Sequence, residues 1–436
     1  MTTESSLPTP PAAHLDAQWV NWKPRFFTIW AGQALSMIGS ALTQFVLVWW
    51  ITQTTGSPSA LAVAGIVALL PTAIFGPLGG ALADRWSRRM VMIVADAITA
   101  LSMVILVLLF AAGNVQLWQV YTLMFVRATM QAFQGPAALA STPNLAPPDW
   151  LTRVAGMNQA MQGVLTIAAA PLGALALAFL PLQGALMIDV VTAVLGITPL
   201  FFFRIPQPPP TAATTGASVL VDIREGARYV LHHRGLLALY GVTGLVVLTV
   251  LPTFSLTPLL VTQHFGGGVN AVALMEGFAG LGVIAGGVII SVRAWHERRI
   301  WLVMFSFAAS CATVALTALA PANWLWLAVI WWTISGFTFS TGNAPMMAIL
   351  QTIIPNELQG RAFSLLNVVF GLAGPLGLVI AGPLAEVVGV RGVFILGGTL
   401  SALICVAGYV FSASLRHIED PRTPGYKMRT DLTAQK

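Results

Sequence analysis

Long apolar runs dominate this sequence and limit what it can fold into. About twelve stretches, each of roughly 20 or more mostly apolar residues, are separated by short polar breaks, and about 20 residues carry an α-helix across a bilayer. Only 8% of the residues are charged and 57% are hydrophobic, whereas a soluble domain has about 25% charged residues. Because backbone groups in lipid must be satisfied internally, the sequence predicts an all-α membrane protein.

The breaks between the apolar runs give approximate bounds for twelve transmembrane helices. Proline, glycine and charged residues mark where one run ends and the next begins. The first run is too long for the core of a signal peptide and follows a polar, proline-bearing tail, so we expect it to stay in the mature protein. The predicted spans are 26–52, 58–83, 90–112, 116–144, 152–180, 184–203, 235–263, 270–292, 300–320, 323–353, 359–387 and 392–414.

The basic residues predict the orientation of these spans. With the N-terminus in the cytoplasm, all of the 21 lysine and arginine residues except Arg127, within a span, and Arg391, in an outer loop, lie at cytoplasmic ends, loops or tails. Cytoplasmic loops are enriched in lysine and arginine. The pattern therefore predicts a multi-pass protein of the cell (inner) membrane with both termini in the cytoplasm. It also accounts for the pI near 9.8 without a nucleic-acid partner.

A weak internal repeat divides the chain into two halves of six helices. Pro148-Asp149 after the fourth span corresponds to Pro355-Asn356 after the tenth. Likewise, Pro171-Leu172-Gly173 corresponds to Pro375-Leu376-Gly377. Repeated helical units are common in pseudo-symmetric membrane folds. The predicted domains are a disordered cytoplasmic tail (1–23), a six-helix bundle (24–204), a cytoplasmic linker with an amphipathic helix (205–234), a second six-helix bundle (235–415) and a disordered cytoplasmic tail (416–436).

The segment between the second and third spans carries the most specific local pattern. It reads Gly80-Ala81-Leu82-Ala83-Asp84-Arg85-Trp86-Ser87-Arg88-Arg89 and resembles motif A of the major facilitator superfamily, with serine in place of the second glycine. The resemblance implies a cytoplasmic gate in which Asp84 approaches the N-terminus of the eleventh helix, whose dipole favours a carboxylate. Gly80 would let two helices approach closely. The charge network would be completed by Arg85, Arg88 and Arg89. The alternative is a basic loop that only sets orientation.

Two further stretches resemble the macrolide-efflux branch of this superfamily, the third drug:proton antiporter group. They are the linker run 222–229 and the sequence around Asp189, and the whole resemblance covers roughly residues 24–415. It implies a proton-coupled antiporter that exports amphiphilic small molecules, drug-like or siderophore-like, as a monomer in the lipid bilayer. Because the branch also contains a lysophospholipid transporter, a lipid transporter of the same fold remains an alternative, as does a non-transporting membrane sensor or scaffold.

Four charged residues lie more than one helical turn inside predicted spans, where a charge near mid-bilayer costs about 2.5–3.5 kcal/mol on insertion scales. Arg127 resembles the arginine of motif B, which implies a role in proton transfer or in binding anionic groups; a structural arginine bonded to backbone carbonyls is the alternative. Glu276 is the predicted proton-coupling carboxylate, because a poorly hydrated cavity favours the neutral form of a carboxyl group. A hydrated position at the outer mouth is its alternative. Asp96 and Asp189 are expected to support neighbouring helices.

Uncharged amides on the predicted cavity helices would suit an amphiphilic small-molecule substrate, although single amides also join helices. None of the lysines follows a glycine, as a Walker A loop requires, so an ion gradient is the expected energy source and no cofactor is predicted. The histidines and cysteines are too scattered for a metal site or a catalytic centre, and a non-enzyme is predicted. The candidate cavity residues are Gln33, Gln44, Gln131, Asn158, Asn343 and Asn367.

Overall fold

The computed structural model describes residues 22–205, 227–292 and 299–420, apart from the side chains at positions 81, 84, 85, 356 and 357. Throughout these ranges the regular structure is helical. The first ten long helices are α1 (Trp22–Thr55), α2 (Pro58–Arg85), α3 (Arg88–Ala111), α4 (Leu117–Leu145), α5 (Leu151–Phe179), α6 (Leu182–Phe202), α7 (Arg234–Gln263), α8 (Val269–Val292), α9 (Arg299–Leu319) and α10 (Leu325–Ile353).

The helical stretch Asn356–Phe411 is two helices joined at a kink. Gly389 there has φ +77° and ψ 158°, a conformation that glycine adopts at little cost and other residues avoid. We call residues 356–388 α11 and residues 390–411 α12. A last turn, α13 (Ala413–Arg416), follows. The described chain therefore contains twelve long helices, and the predicted fold class is confirmed.

Nine helical stretches of the described residues are long and apolar enough to cross a membrane by length and composition. One of the nine, Leu358–Phe411, contains both α11 and α12. The two long helices outside this set, α4 and α10, carry several Gln, Ser, Thr and Asn side chains. In a membrane protein such side chains face neighbouring helices or a cavity rather than lipid.

The helices pack as two bundles that meet along two seams. Within the first bundle α1 packs on α5 and α6, and α4 packs on α2 and α3; within the second, α10 packs on α8 and α9, and α7 packs on the α11–α12 stretch. The bundles contact each other through α2 with α11 and through α5 with α8. Small residues allow the close approach: a methyl group added at Gly371 would lie 2.7 Å from Cβ of Ala73.

The two bundles are joined by hydrogen bonds at one end. We call the end where α1 begins the near end, and the opposite end the far end. At the far end Ser57 Oγ donates to Glu386 Oε1 (3.1 Å) and Gln263 Nε2 donates to the Gly56 carbonyl (2.9 Å). These two hydrogen bonds hold the far ends of the two bundles together.

The chain ends differ in part from the predicted domains. α1 begins at Trp22, inside the predicted tail, and Lys23 lies 5.5 Å from the ring centroid of Trp150. Residues 416–420, at the start of the predicted C-terminal tail, contact the second bundle: Glu419 forms an ion pair with Arg299 (Nε to Oε1, 2.7 Å), and Ile418 is fully buried. The rest of both tails, and the linker as far as residue 226, lie outside the described residues. The remaining domain boundaries stay predictions.

Candidate functional site

A central cavity of about 660 Å³ lies between the two bundles. Its lining comes from α1, α2, α4 and α5 of the first bundle and from α7 and α8 of the second. Its described lining contains two charged residues, Arg127 and Glu276, one from each bundle. Aromatic rings from both sides, Phe45 and Phe254, also face it. The cavity therefore combines apolar surface with one basic and one acidic group.

An aromatic extension of about 410 Å³ continues this space into the second bundle. It shares Glu276, Phe254 and Thr166 with the central cavity and is lined mainly by apolar and aromatic side chains. Trp332 forms its wall; it is almost completely buried and its ring lies 5.0 Å from that of Phe254. The predicted cavity residue Asn343 also faces the extension.

An amide vestibule of about 270 Å³ adjoins the central cavity within the first bundle. It lies between α1, α4 and α5 and shares Met37, Gln131 and Gln162 with the central cavity. Two of the predicted cavity residues, Gln33 and Asn158, belong to its lining, together with Gln134.

Arg127 is held in place by contacts on two other helices. It is 8% exposed, its Nη2 donates to the backbone carbonyl of Ser40 on α1, and its Nε lies 3.7 Å from Oδ2 of Asp189 on α6. Asp189 is completely buried and also accepts a hydrogen bond from the Ser40 hydroxyl (3.0 Å). Nη1 of Arg127 has no hydrogen-bond partner. The guanidinium group is therefore held by α1 and α6 through Nη2 and Nε, while its Nη1 donates no hydrogen bond.

A second polar layer crosses the same helices nearer the vestibule. Gln33 Nε2 on α1 donates to Oδ2 of Asp96 on α3 (3.1 Å) and to the carbonyl of Gly196 on α6 (3.1 Å). Its Oε1 accepts from Gln134 Nε2 on α4 (2.5 Å). Gln33 and Ser40 are seven residues apart on α1, as are Gln134 and Arg127 on α4. Since seven residues are about two helical turns, the two layers stack along the bundle.

The carboxyl group of Glu276 stands apart from these layers. The residue is half-buried and lines both the central cavity and the aromatic extension. Trp332 lines the same extension, and its buried indole N–H has no hydrogen-bond partner among the described residues. Glu276 is therefore an acidic group at the boundary between the polar and the aromatic parts of the cavity.

The motif A segment ends α2 and begins α3 at the near end. Arg88 Nη1 donates to the Ala140 carbonyl (2.5 Å), while Arg89 donates to the carbonyls of Leu200 and, at 3.0 Å, Phe201. Leu200 and Phe201 belong to the last turn of α6, where carbonyls lack helical partners, and Ala140 lies five residues before the end of α4. The described arginines therefore tie three helices of the first bundle together. The side chains of Asp84 and Arg85 lie outside the described residues, so the gate remains a prediction.

The structure brings most of the predicted polar residues to the cavities. Gln44 and Gln131 line the central cavity, whereas Asn367 is exposed and absent from the lining of all three spaces. Asp96 and Asp189 are not in these linings themselves, but they bind the cavity-lining residues Gln33 and Arg127. The sequence reasoning missed Gln162, Trp332 and Ser40. For Gln162, its position one turn after Asn158 on α5 was an available signal.

Comparisons with known proteins agree with this architecture. The Major Facilitator Superfamily profile matches residues 29–328 and 294–431. The chain is 32% identical to macrolide efflux protein A of Streptococcus pyogenes, over 89% of this chain and 95% of that protein. It is 25% identical to the multidrug efflux pump Tap of Mycolicibacterium fortuitum, over 87% and 94% of the two chains. The crystal structure of the nucleoside transporter NupG has the same fold (TM-score 0.69, 15% identity, 89% and 98% coverage).

The chain thus belongs to the Major Facilitator Superfamily. It is a multi-pass membrane transporter rather than an enzyme. The predicted family, and the resemblance to its macrolide-efflux members, are confirmed.

The charged layer depends on close packing of α1 against α6. A methyl group added at Gly39 would lie 3.0 Å from Cβ of Thr192 and 3.3 Å from Cα of Asp189. We expect Gly39→Ala to lower the free energy of unfolding by about 1–3 kcal/mol through overpacking, measured as a lower thermal midpoint of the purified protein. Gly241→Ala is the matched control, since a methyl group there meets no atom within 4 Å. Equal midpoints for the two variants would contradict the packing account.

Proposed function

We propose that this protein is a secondary active exporter of amphiphilic small molecules, with macrolide-like drugs as the leading substrate class and proton antiport as the driving reaction. The observation that supports this proposal most directly is the composite cavity. It is a space of about 660 Å³ with one charged residue from each bundle, and the aromatic extension of about 410 Å³ continues it. Ligand sites of this kind combine apolar walls with a few placed polar groups. The named efflux relatives support the same substrate class.

Alternating access is the transport cycle that we propose for the two bundles. The distribution of lysine and arginine assigns the near end to the cytoplasm, so the far end, where the bundles are joined by hydrogen bonds, would face the outside. Export then requires the far-end contacts to break, among them the Ser57–Glu386 hydrogen bond. Rocking of two repeat-related bundles about a central site is the usual mechanism of such transporters.

Proton coupling is proposed because the cavity offers ionisable groups and the sequence offers no nucleotide site. None of the three lysines, Lys23, Lys427 and Lys436, follows a glycine, so no Walker A loop is present. Arg127 and Glu276 line the space that substrate would occupy. We propose that Glu276 exchanges a proton in step with substrate, since a carboxyl group at a weakly hydrated wall can switch between its two forms during the cycle.

The transport proposal predicts uptake into everted membrane vesicles. With the vesicle lumen made acidic, we expect a labelled macrolide to accumulate, and an uncoupler to abolish the accumulation. Vesicles from cells without the protein set the background. Accumulation that survives the uncoupler would exclude proton coupling. If the vesicles transport a labelled lysophospholipid but not the macrolide, the substrate class is lipid and not drug. If they transport neither, a sensor or scaffold is favoured.

The assignment of Glu276 predicts a specific loss. Glu276→Gln removes the titratable group with almost no change in size, and we expect proton-driven accumulation in the same vesicles to fall at least tenfold. Glu276→Asp, which keeps a carboxyl group, should retain a measurable part of the activity. The amount of folded protein is measured for both by size-exclusion chromatography. Full activity of Glu276→Gln would remove this residue from the mechanism.

A further inference from the structure

The amide vestibule has a lining whose chemistry the exporter proposal does not use. Its described lining carries no charged residue but five carboxamide side chains. A carboxamide both donates and accepts hydrogen bonds, so this surface suits a neutral polar group rather than an ion. The five residues are Gln33, Gln131, Gln134, Asn158 and Gln162.

One acceptor of the vestibule has a fixed direction. Gln33 donates through Nε2 to the Gly196 carbonyl and to Asp96 (both 3.1 Å). Because a backbone carbonyl can only accept, Gln33 must turn its nitrogen to α6 and its oxygen to Gln134. Gln134 Nε2 donates to that oxygen (2.5 Å). The orientation of Gln134 is therefore set by chemistry, and its Oε1 is left as an acceptor in the vestibule.

One donor is fixed in the same way. The indole N–H of Trp30 on α1 donates to Oδ1 of Asn158 on α5 (2.9 Å). An indole N–H can only donate, so the amide oxygen of Asn158 must face Trp30. Nδ2 of Asn158, with two N–H groups, then remains as a donor in the same space.

Two further amides are free to adapt. Gln131 on α4 and Gln162 on α5 have exposed side chains without a hydrogen-bond partner among the described residues. Both line the vestibule and the central cavity, so they lie where the two spaces join. The vestibule therefore presents a fixed acceptor, a fixed donor and two adaptable amides around about 270 Å³.

A hydroxyl-rich group matches this arrangement, because each hydroxyl both donates and accepts. We propose that the amide vestibule binds a neutral, polyhydroxylated substituent of the substrate, of the glycosyl class, while the apolar body of the same molecule occupies the central cavity and the aromatic extension. This inference rests on the proposed export function and specifies its substrate as a glycosylated amphiphile. The junction at Gln131 and Gln162 is where the two parts of the molecule would be linked.

The test compares two ligands that differ only in the sugar. The probes are a macrolide that carries a neutral sugar and the matched derivative from which that sugar has been removed. Binding of each is measured on the full-length protein in lipid nanodiscs. We expect the glycoside to bind at least tenfold more tightly, since an analogue that lacks the hydroxyl groups leaves polar groups of the site unpaired.

Variants then locate the difference in the vestibule. Gln134→Met and Asn158→Leu remove amides that line the vestibule but not the central cavity, with little change in volume. Each should weaken glycoside binding several-fold while binding of the sugar-free derivative stays as in the wild type. Asn367→Leu is the matched control, because that amide lies outside all three cavities. It should change neither affinity.

The outcomes distinguish a failure of the vestibule assignment from a failure of the proposed export function. Equal affinity of the wild type for both ligands, or variants that weaken both ligands equally, would overturn the vestibule assignment while leaving an exporter of amphiphiles intact. If the wild-type protein binds neither ligand, the macrolide class itself fails. Loss of sugar discrimination in the vestibule variants alone supports the assignment.

Discussion

A charge buried in the first bundle must be neutralised locally, and much of this structure follows from that requirement. Arg127 and Asp189 lie on α4 and α6, and both contact Ser40 on α1. Removing either charge would leave its partner uncompensated in a low-dielectric interior, which is far more costly than removing both. The contact therefore keeps three helices in register. The Gly39 approach to α6 supplies the space in which the charges can meet.

The second polar layer repeats this construction without a cation. Gln33 joins α1 to α3 and α6 by donating to Asp96 and to the Gly196 carbonyl, and it joins α1 to α4 by accepting a hydrogen bond from Gln134. The two layers give the first bundle a rigid polar interior, whereas the extension in the second bundle is apolar and aromatic. Substrate would therefore meet a polar wall on one side and an apolar wall on the other. That division is what an amphiphilic molecule requires.

Hydropathy and charge alternation predicted the twelve helices because spanning a bilayer imposes a length and an apolar composition on every element. The motif A pattern located the α2–α3 segment, and the arginines there do bind helix ends. The partners of the buried charges were not predictable, since Arg127 and Asp189 are 62 residues apart and come together only because α1 packs against both α6 and α4. Trp332 was missed because an indole in a spanning helix has no local signature that separates a cavity wall from a helix contact, whereas the spacing of Gln162 from Asn158 could have indicated its place.

The central claim is that the two bundles alternate between openings at the near and far ends. It is tested most directly by distances between spin labels, in a variant that lacks Cys311 and Cys405. One label pair spans the near end, at Gln159 and Val292, and the other spans the far end, at Asn114 and Ala322; all four residues are exposed. The account predicts that changing the pH or adding a macrolide changes the two distances in opposite directions, so that one end closes while the other opens. Distances that both stay fixed, or that change together in the same direction, would contradict it.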